Sequence, residues 1–346
     1  MVAAVWSEGE QSLVEATSIM FSLAICTRDS AERLPELFVA LRALEVPDDV
    51  SWEVLVINNA SLDETEAIAR RELSQFSVPT QVINEQRGGL VFARDAAARM
   101  ARGQWLAFLD DDNLPAPDWL AQAAIAVQSG GEKLGAFSGE VRAKWTVRPP
   151  DGIRRLENFL GCHAASTASF RYDSGRGVLP PGAGLVVRRA AWLAAVPPPG
   201  KLFFTGRISG HLLGGEDIEC LTYLSRAGWE SWHFPAMLIL HVMSPVRVKA
   251  EYLMGLCRAG GLVRHHLRMM RTCRLARPFA MVGYLLADLF RLARHFCCHP
   301  VLADEDVVDR CLRQYLVGTL ISPFYLRWWH RRPVAKVGGY TSGQKP

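Results

Sequence analysis

Long apolar runs are missing from this chain of 346 residues. The longest, residues 279–287 and 315–326, fall short of the roughly 20 consecutive apolar residues a spanning helix needs, so integral membrane insertion is not expected. A secretory leader is not legible either. Residues 1–18 hold Glu8, Glu10 and Glu15 and lack a basic start followed by an apolar core, which points to a cytoplasmic protein. No C-x-x-C pair occurs among the cysteines at 26, 162, 220, 257, 273, 297, 298 and 311, leaving reduced, buried thiols as the expectation. The segment His295-Phe296-Cys297-Cys298-His299 does not restore a metal reading, because adjacent cysteines rarely chelate one zinc tetrahedrally and no second ligand pair lies at finger spacing. Internal repeats and low-complexity tracts are also absent. With 49% hydrophobic residues, the chain has material for one large domain or a domain with an appendage.

The net charge of +4 conceals a division along the chain. Residues 1–245 carry 22 Lys/Arg against 29 Asp/Glu, and residues 246–346 carry 17 against 6, so the first part is −7 and the second +11. A basic region attached to an acidic body suggests contact with an anionic surface, either lipid headgroups or nucleic acid. No nucleic-acid motif accompanies the charge, which ranks the membrane surface first.

The first half alternates strand-like and helix-like segments. Residues 19–25 are apolar and partly β-branched; residues 31–44 place apolar side chains at 34, 37, 38, 41 and 44, a helical period. Residues 53–57 repeat the strand signal, and Ser61-Leu62-Asp63-Glu64 has the spacing of a capping box opening a helix to about Phe76. A strand at 80–83, a helix from Gly89 to about Arg102 and a strand at 105–109 complete a β-α-β-α-β-α-β series, which implies a largely parallel, doubly wound sheet. A helix at 117–128 follows, then an irregular stretch, 135–201, of the kind that shapes a substrate cleft. Within it Gly182-Ala183-Gly184 leads into a strand and a helix from Arg189. Gly214-Gly215-Glu216-Asp217 opens a helix over 218–227, and residues 233–240 read as a last strand ended by His241. From about Val246 the segments are helical, basic and amphipathic, with Arg264, Arg268 and Arg271 at helical spacing and Pro278 as a stop.

Three adjacent carboxylates, Asp110-Asp111-Asp112, stand where the apolar run 105–109 ends. Neighbouring anions repel, and a divalent cation among them relieves the repulsion. Helix capping would account for one aspartate, not for three. In an open α/β sheet the carboxyl ends of the strands are where ligands gather.

The order of these motifs resembles the inverting family 2 glycosyltransferases with the GT-A fold, over roughly residues 19–245. Residues 22–29, 56–61 and 84–95 are similar to the family's nucleotide loop, second-strand motif and donor-contacting helix start, with Asp95 where the family more often has Asn. The wording of 108–115, 179–192 and 264–270 looks closer still to cyanobacterial glycosyltransferases assigned to hormogonium polysaccharide synthesis. The resemblance implies an α/β, GT-A-type doubly wound, mostly parallel sheet with a C-terminal basic helical region. It divides the chain into an extension (1–18), a catalytic domain (19–245), a basic amphipathic region read as membrane-associating (246–335) and a tail (336–346).

The same resemblance implies that a nucleotide-sugar donor meets Thr27, Arg28, Asp29, Asn59, Arg94, Asp110, Asp111, Gly182, Ala183 and Gly184. Mn²⁺ or Mg²⁺ would sit on Asp112, Asp110 and His241 and neutralise the departing diphosphate. Asp217, beside Glu216, is the expected general base toward a saccharide or lipid-linked acceptor; two neighbouring carboxylates raise the pKa of one, which suits base work near neutral pH. Trp145, Trp192, Trp229 and Trp232 are either sugar platforms or core. Two other readings keep the same fold: a non-catalytic nucleotide-sugar-binding scaffold and a sugar-phosphate nucleotidyltransferase. The loop Cys26-Thr27-Arg28-Asp29-Ser30 has no glycine for cradling a triphosphate, which counts against the latter.

Overall fold

The computed structural model describes residues 19–163, 166–206, 212–299 and 306–329. The expected extension 1–18 and tail 336–346 lie outside these residues. The chain divides into two compact units, with the break between Leu253 and Met254.

In the first unit the strands and helices, in order, are β1 (Phe21–Thr27), α1 (Leu34–Arg42), β2 (Trp52–Asn59), α2 (Thr65–Leu73), β3 (Thr80–Glu85), α3 (Leu90–Met100), β4 (Trp105–Leu109), β5 (Asn113–Pro115), α4 (Trp119–Ser129), β6 (Leu134–Ser138), β7 (Val141–Trp145), β8 (Phe170–Arg171), β9 (Leu185–Arg188), α5 (Arg189–Ala195), α6 (Glu216–Arg226), β10 (Glu230–His233) and β11 (Ile239–Met243). Eight of the strands form one sheet in the order β3-β2-β1-β4-β9-β6-β10-β8; a second sheet has the order β5-β11-β7. β1 runs parallel to β2 and β4, and β2 parallel to β3, as βα repeats require. Every residue of β1 and β4 is buried, so these strands read as continuous apolar runs rather than alternating ones. Leu34, Leu37, Phe38 and Leu41 of α1 pack on one side of the sheet with Trp119 of α4; Ala93 and Ala97 of α3 pack on the other with Trp192.

The sheet is mostly parallel, as expected, while three other expectations change. β9 is an inserted exception, lying antiparallel between β4 and β6. It arrives after a long irregular excursion rather than a helical crossover, so nothing imposes parallel entry. The stretch expected to be irregular also contributes β6 and β7. The single last strand is two, since β10 belongs to the large sheet and β11 to the small one, and His241 sits in mid-strand. The capping box does not form. α2 starts at Thr65, whose backbone N–H donates to Asp63 Oδ1 at 3.0 Å, while Ser61 Oγ accepts the Asp29 N–H at 3.1 Å.

α7 (Ala250–Leu262) leads into the second unit, which holds α8 (Arg264–Arg271), α9 (Arg277–Cys298) and α10 (Val307–Trp329). Gly261 of α7 and Gly318 of α10 let two backbones cross closely, because a Cβ at either would strike the other helix. Pro278 is not the stop expected of it: α8 has already ended at Arg271, and Pro278 occupies the first turn of α9, where its missing N–H costs nothing. Among the described residues no helix is long and apolar enough to cross a membrane.

Candidate active site

β1 ends at Thr27, β2 at Asn59 and β4 at Leu109, so parallel pairing brings the loops after them to one edge of the sheet. Antiparallel β9 adds to that edge from the opposite direction. Its first residue, Leu185, pairs with Phe108, which delivers Gly182-Ala183-Gly184 beside the aspartates. Gly184 has φ +64° and Ile239 crowds the place of its Cβ, so glycine is required there on both counts. The small sheet supplies the remaining piece: His241 of β11 pairs with Asn113 of β5, and the Val242 N–H donates to the Asp112 carbonyl at 2.9 Å.

That register places His241 Nε2 3.3 Å from Asp112 Oδ1. The Arg247 guanidinium closes the group, donating to Asp112 Oδ2 through Nη2 and approaching His241 Nε2 at 2.8 Å through Nη1. Burial pushes the Asp112 carboxyl up, but the His241 hydrogen bond and the charges of His241, Arg247 and Arg33 hold it down at about 2. Asp110 behaves oppositely. Desolvation, opposed by Arg94 and reinforced by the negative Asp112 and Asp111, raises its carboxyl to about 6. One cluster thus contains a strongly ionised carboxylate and one that is reluctant to ionise.

Asp111 is spent on the loop after β1: it accepts from Thr27 Oγ1 at 2.8 Å, from Ser30 Oγ, and from Arg33 Nε at 2.9 Å. Asp29, with φ +48°, accepts the Leu62 N–H at 2.7 Å, and Arg28 lies 3.4 Å from it through Nε. Asn59 is buried and its amide is committed within the fold, accepting from the Gly89 N–H at 2.8 Å and donating to the Arg87 carbonyl at 2.7 Å. Asp95 pairs with Arg99 at 2.9 Å, one turn along α3. Trp192 is a core residue packed on Phe108, with ring centres 5.4 Å apart. Trp229 lies under the Arg188 guanidinium and Trp232 stacks with Phe234.

Across the glycine segment stands Asp217, in the first turn of α6. Its Oδ1 forms an ion pair with the buried Arg94, and its Oδ2 occupies the space a Cβ on Gly182 would take. Arg94 lies against the Phe108 ring at 4.9 Å and acts electrostatically on Asp110, so one guanidinium connects the aspartate cluster to the expected base. Glu216 is buried beside it with Oε2 lacking a hydrogen-bond partner among the described residues. Glu219, one turn on, accepts the N–H groups of Phe203 and Phe204 and orients the chain before α6.

Residues 22–144 match the model of glycosyl transferase family 2. This match covers the aspartate cluster and the loop after β1, while Asp217 and His241 lie beyond it. Glycosyltransferase AglE of Haloferax volcanii is 24% identical over 299 residues, 84% of this chain and 88% of AglE. Succinoglycan biosynthesis protein ExoM of Rhizobium meliloti is 25% identical over 137 residues, 40% of this chain and 43% of ExoM. Among solved structures, the mannosyltransferase PcManGT of Pyrobaculum calidifontis, in complex with GDP-Man and Mn²⁺, superposes with a TM-score of 0.57 at 18% identity, over 90% of this chain and 88% of its own. That likeness establishes the GT-A type of fold.

The donor set fits a divalent cation. Asp112 and His241 already converge on a cation, the Arg247 guanidinium, and carboxylate and imidazole are both donor types that a divalent ion accepts. No group of three ligating side chains gathers among the described residues, and Asp110 is not drawn into contact with the other two. Two protein ligands suffice where substrate phosphate oxygens and water supply the rest. Arg247 itself escaped sequence reasoning. It lies two residues past the expected domain end at 245, yet it falls in the first unit; its only signal was a basic residue six positions after His241.

Proposed function

We propose that this chain is a metal-dependent, inverting glycosyltransferase that moves a sugar from a nucleotide-diphosphate sugar to an acceptor hydroxyl. The observation that carries the reading is the cation-seeking pair Asp112 and His241 at the sheet edge to which β9 also delivers the glycine segment that packs against the Asp217 carboxylate. A divalent ion held by Asp112 and His241 would neutralise charge developing on the departing diphosphate. Asp110, near the same edge, would accept a hydrogen bond from the donor. Arg94 holds Asp217 in place, and Asp217 takes the proton from the acceptor hydroxyl as the new bond forms opposite the leaving group. Asp111, Asn59 and Asp29 support the loops that carry these groups.

Support for a cell-surface polysaccharide product comes from the name of ExoM and from the hormogonium-type wording of residues 108–115 and 179–192. The acceptor would be a saccharide, free or lipid-linked. A panel of UDP-, dTDP- and GDP-sugars, including GDP-mannose, tested with Mn²⁺ for hydrolysis and thermal stabilisation, checks the reading. Expected is metal-dependent stabilisation by one nucleotide class and hydrolysis lost in Asp112→Ala. Pyrophosphate release from a nucleoside triphosphate and sugar phosphate would overturn it.

A further inference from the structure

The helix α9 turns an apolar face outward. Phe279, Leu286 and Phe290 are 81%, 62% and 69% exposed, and Val282 and Leu289 stand exposed between them. At about 100° per residue these five side chains, with Phe296, fall in an arc of roughly 120°, and the stripe runs for about 25 Å along the helix. Leu275, 86% exposed just before the helix, continues it. Half a turn away the helix is anchored: Asp288, 3% exposed, accepts two hydrogen bonds from the Arg268 guanidinium of α8, which also lies 4.6 Å over the Tyr284 ring. The rotation of α9 is therefore set by a buried ion pair, and the exposure of its apolar side follows from that anchoring.

Charge decides what such a face meets. Between residues 258 and 299 the chain carries eight arginines and one acid, and that acid, Asp288, is already paired with Arg268. Arg274 and Arg294 are exposed near either end of the stripe. Two copies stacked on this face would bring the Arg274 and Arg294 pairs together, with no acid in residues 274–299 other than the already paired Asp288 to offset them. Anionic headgroups supply the opposite charge and the adjoining acyl region takes the side chains. We propose that α9 lies in the interfacial plane of an anionic bilayer, with Phe279, Leu286 and Phe290 as its insertion points. The docking rests on the proposed function only for its purpose, which is to bring the enzyme to lipid-linked acceptors.

The test is sedimentation of the full chain with vesicles of phosphatidylcholine alone and with phosphatidylglycerol added, at low and high salt. Wild type should bind the anionic vesicles, weaken with salt and bind phosphatidylcholine poorly. Phe279→Ser/Leu286→Ser/Phe290→Ser should lose at least tenfold in binding while keeping the wild-type melting temperature and any nucleotide-sugar thermal shift. A second variant, Arg274→Glu/Arg294→Glu, should weaken binding severalfold at low salt with the apolar face intact. Wild-type-like binding by the triple variant, absence of binding by wild type, or a dimer in analytical ultracentrifugation that the triple variant dissolves, each overturns the docking. Because the binding readout needs no turnover, failure to find a sugar donor would leave it standing.

Discussion

The guanidinium of Arg247 rests on the carboxylate of Asp112, 135 positions earlier in the chain. It contacts both Asp112 and His241, so a metal ion held by that pair, as proposed, would have to compete with this guanidinium for the same two donors. Arg247→Ala should therefore bind Mn²⁺ more tightly than wild type in the absence of donor, by about tenfold for the removal of one nearby charge in a partly buried setting. Asp112→Ala should lose both Mn²⁺ binding and transfer while retaining the wild-type circular dichroism spectrum. Mn²⁺ titration followed by electron paramagnetic resonance reads both variants; equal affinity in Arg247→Ala and wild type would refute the competition.

Gly182 faces Asp217 so closely that a methyl group would displace the carboxylate. Gly182→Ala should lower kcat on the order of 100-fold, the usual penalty of roughly 1 Å of misplacement, with the KM for donor little changed. Steady-state kinetics alongside a melting curve separates this from unfolding.

Glu53 ties β2 to the start of β4. Its carboxylate accepts from Ser22 Oγ at 2.6 Å and from the backbone N–H and Nε of Arg102, each at 2.7 Å. Burial alone would raise its pKa, but Ser22 and Arg102 outweigh that and leave it below the ordinary carboxylate range. A carboxyl whose folded value is depressed stabilises the fold above its unfolded pKa, and this contribution disappears as pH falls through the folded one. Glu53→Gln should cost about 1–3 kcal/mol at pH 7, and the cost should shrink as pH falls below the ordinary carboxylate range. Urea unfolding across that range measures the difference.

Asp288→Ala leaves the buried Arg268 without its carboxylate. A loss of about 3–5 kcal/mol is expected in the helical unit, the cost of stranding one buried charge. Hydrogen exchange of α8 and α9 should show it first. Replacing both partners, as Asp288→Leu/Arg268→Met, should recover most of the stability.

Much of the site was legible because aspartates at the end of an apolar run, and Glu216-Asp217 after two glycines, signal their surroundings through neighbouring residues. Asp111 and Asn59 show where such reading stops. Both occupy the expected loops, yet one carboxylate is absorbed by Thr27, Ser30 and Arg33 and one amide by Gly89 and Arg87. Orientation depends on partners far along the chain, and local spacing carries no trace of them.

The alternation of strands and helices, the edge at which their loops collect and the basic character of the last third were determined by the sequence, since periodicity and composition are local properties. Tertiary structure alone decided that β9 runs antiparallel and so places its glycines at that edge, that Arg247 seats itself on Asp112 and His241, and that α9 exposes its apolar stripe. Each depends on contacts between residues tens of positions or more apart in the sequence or on the pairing of separate elements, and only the assembled packing selects them.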